Sequence, residues 1–302
     1  MSNEWKNHYK KMLYDINVTM QDISKYIDKN MPKYLYKYRS FNSYWRSILF
    51  DGLVYLPESS TLNDPFDCHI YVDIKKFSDF MNGFASKYVF PGIPLTDIEK
   101  VYNPRMKYNL DKEYNSTRKN ILLTCFSETV NSILMWAHYA DSHKGFCIEY
   151  DTEKIDIEYR RFLFPVIYQR EVYDYTDIAI MNDLSYTKYM EIIKMQGIET
   201  EYELKDVTNN ALIPMLIKAQ EWYYEREWRI VVPSLIFGSN EHLINLGNAI
   251  SSIYFGANFD ENGMDMNEII NWAKDKKINV YKMDKEPSKY ELISNVILNN
   301  KL

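Results

Sequence analysis

The chain has 302 residues, a formal net charge of −6 and 46% hydrophobic residues, enough for one large core or two small ones. The acidic balance argues against a protein whose main task is to coat nucleic acid, since phosphate binding needs clustered Lys and Arg. Cys68, Cys125 and Cys147 lie far apart with no Cys-x-x-Cys pair, which argues against a disulfide framework or a zinc site.

In chain order, Trp5, Tyr9, Leu13, Ile16, Met20 and Ile23 recur at helical spacing, which predicts one amphipathic helix over residues 1–30, closed by Pro32. Tyr34–Arg39 alternates as a strand, 42–50 fits a short helix, and 53–56 is a second strand ended by Pro57. Residues 59–68 (SSTLNDPFDC) form a loop, because Asn-Asp-Pro disfavours helix and offers side-chain bonds to the backbone. A helix is expected over 74–88, a turn at 91–94 and a polar helix over 111–120. A strand over 121–126 enters Ser127-Glu128, and a helix over 131–140 takes Asn131 as its N-cap. Strands follow at 145–150 and 162–168, the latter at an edge or bulge because of Pro165. Residues 174–222 are mostly helical. Strands at 228–232 and 250–255, a helix at 267–276 and a last strand at 278–283 complete the chain. The expected architecture is α+β: a single core over 31–302 around a mixed, split sheet, with 174–222 as a helical lobe.

The opening MSNEWKNHYKKML has no apolar signal core, and no run reaches the roughly 18 apolar residues of a membrane span. A cytoplasmic protein without a membrane partner is therefore expected. With 27 Tyr, 14 Phe and 6 Trp the chain is rich in rings able to wall a pocket for flat ligands.

Four stretches carry a resemblance: YKYRS (36–40), LNDPFDC (62–68), CFSETVNSILMWAHYADSHKGFCIEYD (125–151) and WYYEREWRIV (222–231). Together they resemble a widespread bacterial family, domain of unknown function 2971, over about residues 34–255. That family implies no activity, so the chemistry has to come from the residues. Glu225 and Glu227 flank Arg226 at a strand entrance and resemble the acidic motif of ADP-ribosyltransferases. There the final Glu stabilises the cationic ribose formed as nicotinamide leaves NAD, and the preceding acid helps the acceptor nucleophile. On a strand, both carboxylates project to one side. Arg39, at the end of the first core strand beside Tyr38, matches the residue that holds the ribose or phosphates of NAD, which suits a planar fork of donors. Ser127 resembles the hydroxyl of the middle motif, although only one Ser of the usual Ser-x-Ser can be placed. The order Arg39, Ser127, Glu227 is that of the superfamily's three motifs.

Trp136 and Tyr139 are expected to stack a nicotinamide or adenine ring, with His138 donating to a phosphate and the loop residues Asn63 and Asp64 lining the pocket. The reading is an NAD-cleaving, ADP-ribosyltransferase-like enzyme in a toxin or phage-defence setting. NAD serves as substrate, and the acceptor is a protein, a nucleic acid or water. Two rivals stand beside it: a non-enzymatic nucleotide sensor, and a metal-dependent nuclease or phosphodiesterase using Asp64, Asp67, Glu225 and Glu227. The absence of G-x-G-x-x-G, G-x-x-x-x-G-K-[ST] and G-x-S-x-G disfavours dinucleotide-fold, P-loop and α/β-hydrolase chemistry.

Overall fold

The computed structural model describes residues 4–15, 17–89, 92–94, 96–97, 112, 114–182, 212–236, 242–261 and 264–300. It is a mixed α+β structure, as expected, and the chain divides into two compact units. The first comprises residues 1–57, 122–168 and 220–302; the second comprises 58–121 and 169–219.

The expected N-terminal helix is two helices, Glu4–Tyr14 and Met20–Asn30. The break has a local cause. Asp15 accepts from the Asn17 N–H, and Thr19 with Asp22 forms a reciprocal capping box that starts the second helix afresh.

Strands of the first unit are β1 (Tyr34–Arg39), β2 (Leu53–Tyr55), β4 (Ile121–Ser127, entering at its first residue), β5 (Phe146–Asp151) and β6 (Leu163–Pro165). They continue with β10 (Glu227–Pro233), β11 (Leu243–Asn245), β12 (Ile250–Phe255), β13 (Asn279–Lys285) and β14 (Leu292–Leu298). The second unit holds β3 (Ile70–Tyr71), β8 (Tyr173–Asp174) and β9 (Ile217–Ala219), while β7 (Ile167–Gln169) lies at its boundary. Eight strands form the main sheet in the order β14-β13-β12-β5-β1-β4-β10-β6. The β12–β13 pair is parallel, and β1 runs antiparallel to both β4 and β5. Its centre is buried on both faces, which explains why β4 and β5 read as near-continuous apolar runs. Pro165 does sit on an edge strand, β6, as its missing N–H requires.

The helix expected over 131–140 runs from Ile133 to Tyr139, and Ser132 rather than Asn131 caps it by accepting from the Met135 N–H. Within the second unit, a helix spans Ile74–Phe84, capped by Asp73. The helical lobe expected over 174–222 lies largely outside the described residues. At its end, β9 and a 3-10 turn over Gln220–Glu225 replace the expected helix. The sequence reading missed β14 altogether.

One glycine joins the site helix to the sheet. Asp141, Ser142 and His143 all have positive φ (46°, 54° and 68°), a left-handed run that turns the chain sharply after the helix Ile133–Tyr139. Gly145 then lies so close to β1 that an added Cβ would stand 2.1 Å from the Arg39 carbonyl oxygen and 3.0 Å from that of Ala140. Both obstacles are backbone, so Gly145→Ala is expected to destabilise the first unit by about 3 kcal/mol. Chemical denaturation of the variant checks this; an unchanged midpoint would refute the close approach.

Candidate functional site

The site is built on one face of the main sheet. In the cross-strand register Tyr36 stands opposite Ser127 on β4 and Glu149 on β5, and Glu149 stands opposite Ser252 on β12. Directly paired residues share a face, so these four side chains project to the same side. Glu149 is 6% exposed and accepts four hydrogen bonds from hydroxyls: Tyr36 (3.1 Å), Ser251 (2.8 Å), Ser252 (2.8 Å) and Tyr254 (2.9 Å). These bonds satisfy the buried carboxylate and fix the rings of Tyr36 and Tyr254. Burial first, then the charge of Glu149, pushes both phenols well above the usual tyrosine range.

Tyr254 stacks on Tyr281 at 4.8 Å and meets the edge of Tyr36 at 6.2 Å. Tyr36, Tyr139, Tyr224 and Tyr281 are half-buried and pack against the cluster made by Tyr38, Trp136, Cys147 and Tyr254. The result is a wall of partly exposed rings over a buried apolar floor.

Glu225 belongs to this wall. It is 3% exposed, and the Tyr139 hydroxyl donates to its carboxylate at 2.6 Å. Ser127 donates to the Glu225 carbonyl at 2.7 Å and accepts from the Thr129 N–H, which ties the end of β4 to the entry of β10. The hydroxyl of Ser127 therefore positions the backbone of Glu225.

Glu227 is placed differently. Arg226 has φ of 46°, in the left-handed region, and β10 begins only at Glu227. Glu225 thus stands off the strand, and the expectation that both carboxylates project to one side is not met. Glu227 is 2% exposed and Arg229 is fully buried; the guanidinium donates to both carboxylate oxygens, at 2.7 and 3.1 Å. Residues two apart on a strand share a face, which makes this pair possible. Trp228, on the other side of the strand, donates to Glu128 and packs on Trp5.

The other expected residues divide as follows. Trp136 is wholly buried, donates to the Val130 carbonyl at 2.7 Å and meets Tyr38 edge-on at 5.2 Å. It supports the floor and offers no stacking surface, because its indole N–H needs a buried partner and finds one below the wall. Tyr38 is likewise buried, donating to the Thr129 carbonyl. His138 is exposed beside Tyr139 and Tyr224, at 6.4 and 6.2 Å between ring centres. Arg39 stands opposite Phe146 in the register and by alternation projects to the face away from Glu149, so the Arg39–Glu149 pair that strand adjacency suggests does not form.

Asn63 and Asp64 lie in the second unit. Asn63 is exposed; Asp64 is buried and accepts from the Phe66 N–H at 2.9 Å, an Asx turn of the kind Asn-Asp-Pro favours. Asp67 pairs with buried Lys218 at 3.6 Å. Among the described residues no group of three or more His, Cys, Asp or Glu is arranged to hold a metal ion.

Sequence reasoning missed Glu149 as a site residue. The available signal was its position in an otherwise apolar strand, FCIEYD, where a carboxylate demands donors.

Residues 135–230 match the model of a protein family described as a protein of unknown function, DUF2971. The matched stretch holds Tyr139, Glu149, Glu225 and Glu227. No curated protein and no solved structure matches the chain. No helix among the described residues is long and apolar enough to cross a membrane.

Proposed function

We propose that this chain is an ADP-ribosyltransferase-like enzyme that cleaves the nicotinamide–ribose bond of NAD and passes ADP-ribose to an acceptor or to water. The observation that carries the proposal is Glu225: a buried carboxylate fixed by Tyr139 and, through its carbonyl, by Ser127, beside a wall of half-buried tyrosines. Adjacency supports part of it, since β4, which ends in Ser127, and β10, which Glu225 precedes, are neighbours in the sheet despite their separation along the chain, whereas Arg39 on β1 projects to the opposite face and takes no part.

The chemistry follows from these parts. Tyrosine faces hold the flat nicotinamide and adenine rings. As the glycosidic bond breaks, positive charge grows on the ribose, and a carboxylate already oriented by a phenol stabilises that charge without reorganising. Glu227 is less suited to this role, because both of its carboxylate oxygens accept from the Arg229 guanidinium. Glu149 acts indirectly, by holding Tyr36 and Tyr254 in place.

The test is incubation of the purified chain with NAD and measurement of free nicotinamide, with and without cell extract as a source of acceptor. Release above the uncatalysed rate is expected. If neither condition yields nicotinamide, the enzyme reading fails and a nucleotide-binding role takes its place.

A further inference from the structure

Glu149 is a buried charge that the proposed cleavage does not use, and its surroundings are unusual. A β-bulge builds half of them. The register of β12 against β5 shifts between Ile250 and Ser252, and the extra residue, Ser251, donates to Glu149 Oε1 just as Ser252 does. Tyr36 and Tyr254 donate to Oε2. An ionised carboxylate has roughly four lone-pair sites, and here neutral O–H groups occupy all of them. Glu149 is thereby closed to direct bonding with a metal ion or a ligand N–H. Its charge remains, and no Lys, Arg or His among the described residues pairs with it. A buried charge without a counter-charge is costly.

That charge reaches the surface through rings. Hydrogen bonds to a carboxylate polarise the Tyr36 and Tyr254 phenols, and a ring face is already the negative part of its quadrupole. Buried Tyr254 lies at the centre. Tyr36 meets it at 6.2 Å and 69°, while Tyr281 stacks on it at 4.8 Å and 13°. Tyr36 and Tyr281 are half-buried, so two rings at a steep mutual angle present surface to solvent on either side of Tyr254. The helix Ile133–Tyr139 packs over Tyr38 and Cys147 at one end of this sheet face. Beyond Tyr281 the face is open, since its neighbour on β14, Val296, is 59% exposed.

We infer that Tyr36, Tyr254 and Tyr281, over Glu149, form a binding site for a weakly hydrated organic cation of the quaternary ammonium or pyridinium class. A ring attracts such a cation within about 6 Å of its centroid, the scale on which these rings are spaced. The buried carboxylate supplies the counter-charge from below without bonding to the ligand. The site shares its rings with the NAD reading but does not depend on bond cleavage. The oxidised nicotinamide ring of NAD carries the required charge, and the dihydro ring of NADH does not.

The experiment titrates the protein into tetramethylammonium chloride, with sodium chloride holding the ionic strength constant, and follows the methyl signal by proton NMR. The signal should move upfield, because the methyl groups enter the shielding region of the rings. tert-Butanol, of similar shape but neutral, should not move. Glu149→Gln should need at least about tenfold more protein for the same shift, since it removes the counter-charge and keeps an acceptor. Tyr281→Leu should weaken binding about threefold or more. It makes no hydrogen bond to Glu149, so it decides the matter if Glu149→Gln fails to fold. Displacement of tetramethylammonium by NAD at lower concentration than by NADH supports the site and assigns its cation to the pyridinium. A bound tetramethylammonium that neither nucleotide displaces also supports the site and counts against the NAD reading alone. The inference is overturned if tetramethylammonium shows no upfield shift, if tert-butanol shifts equally, or if Tyr281→Leu binds as wild type does.

Discussion

Nicotinamide release is expected to fall on the order of 100-fold or more in Glu225→Gln, while the thermal melt stays close to that of wild type. The amide keeps the shape of the side chain and an oxygen that still accepts from the Tyr139 hydroxyl. What disappears is the charge, which matters chiefly once the ribose becomes cationic. The loss should therefore appear in kcat, with KM for NAD little changed. Steady-state kinetics with NAD as the varied substrate measure both. A Glu225→Gln enzyme that matches wild type would remove Glu225 from the chemistry. One that binds NAD far more weakly at unchanged kcat would make it a binding group only.

Arg229→Leu tests the opposite role for the neighbouring carboxylate. It leaves Glu227, 2% exposed, without its bidentate partner, and a buried charge stripped of its partner typically costs about 3–5 kcal/mol. The double variant Glu227→Leu, Arg229→Leu should regain most of that loss, because two apolar side chains of similar bulk remove both charges together. Urea denaturation of the wild type, the single variant and the double variant gives the comparison. If Arg229→Leu unfolds at the wild-type midpoint, Glu227 is not held as its hydrogen bonds indicate and becomes available for catalysis.

The two Glu residues show where the sequence stopped being legible. A Glu-x-Glu pair before an apolar run suggests two carboxylates on one face. The separation instead depends on positive φ at Arg226, a conformation that a glycine or asparagine would have advertised and an arginine does not. The strands themselves were readable. YLYKYR alternates, and the apolar runs of β4, β5 and β12 have strand length. Their register was not, because Tyr36, Glu149 and Ser252 meet across more than one hundred residues of chain, and nothing local encodes which residue stands opposite which. Trp136 looked like a pocket ring because the helix Ile133–Tyr139 has only 7 residues, too few for a periodic pattern to reveal its buried side. The break at Thr19, by contrast, was open to view: Thr-Met-Gln-Asp spells a capping sequence, and the hydrophobic spacing across it outweighed the cap.

The same long-range pairing sets the timing of synthesis. β5 has β1 on one side early, but its other neighbour is β12, made about 100 residues later. At ribosomal rates of about 5–20 residues per second, one edge of β5 waits roughly 5–20 s for that partner. During that interval Cys147, Ile148 and Tyr150, fully buried in the finished sheet, belong to a strand with an open side. The chain therefore carries an open strand edge on the ribosome between the emergence of FCIEYD and that of ISSIYF.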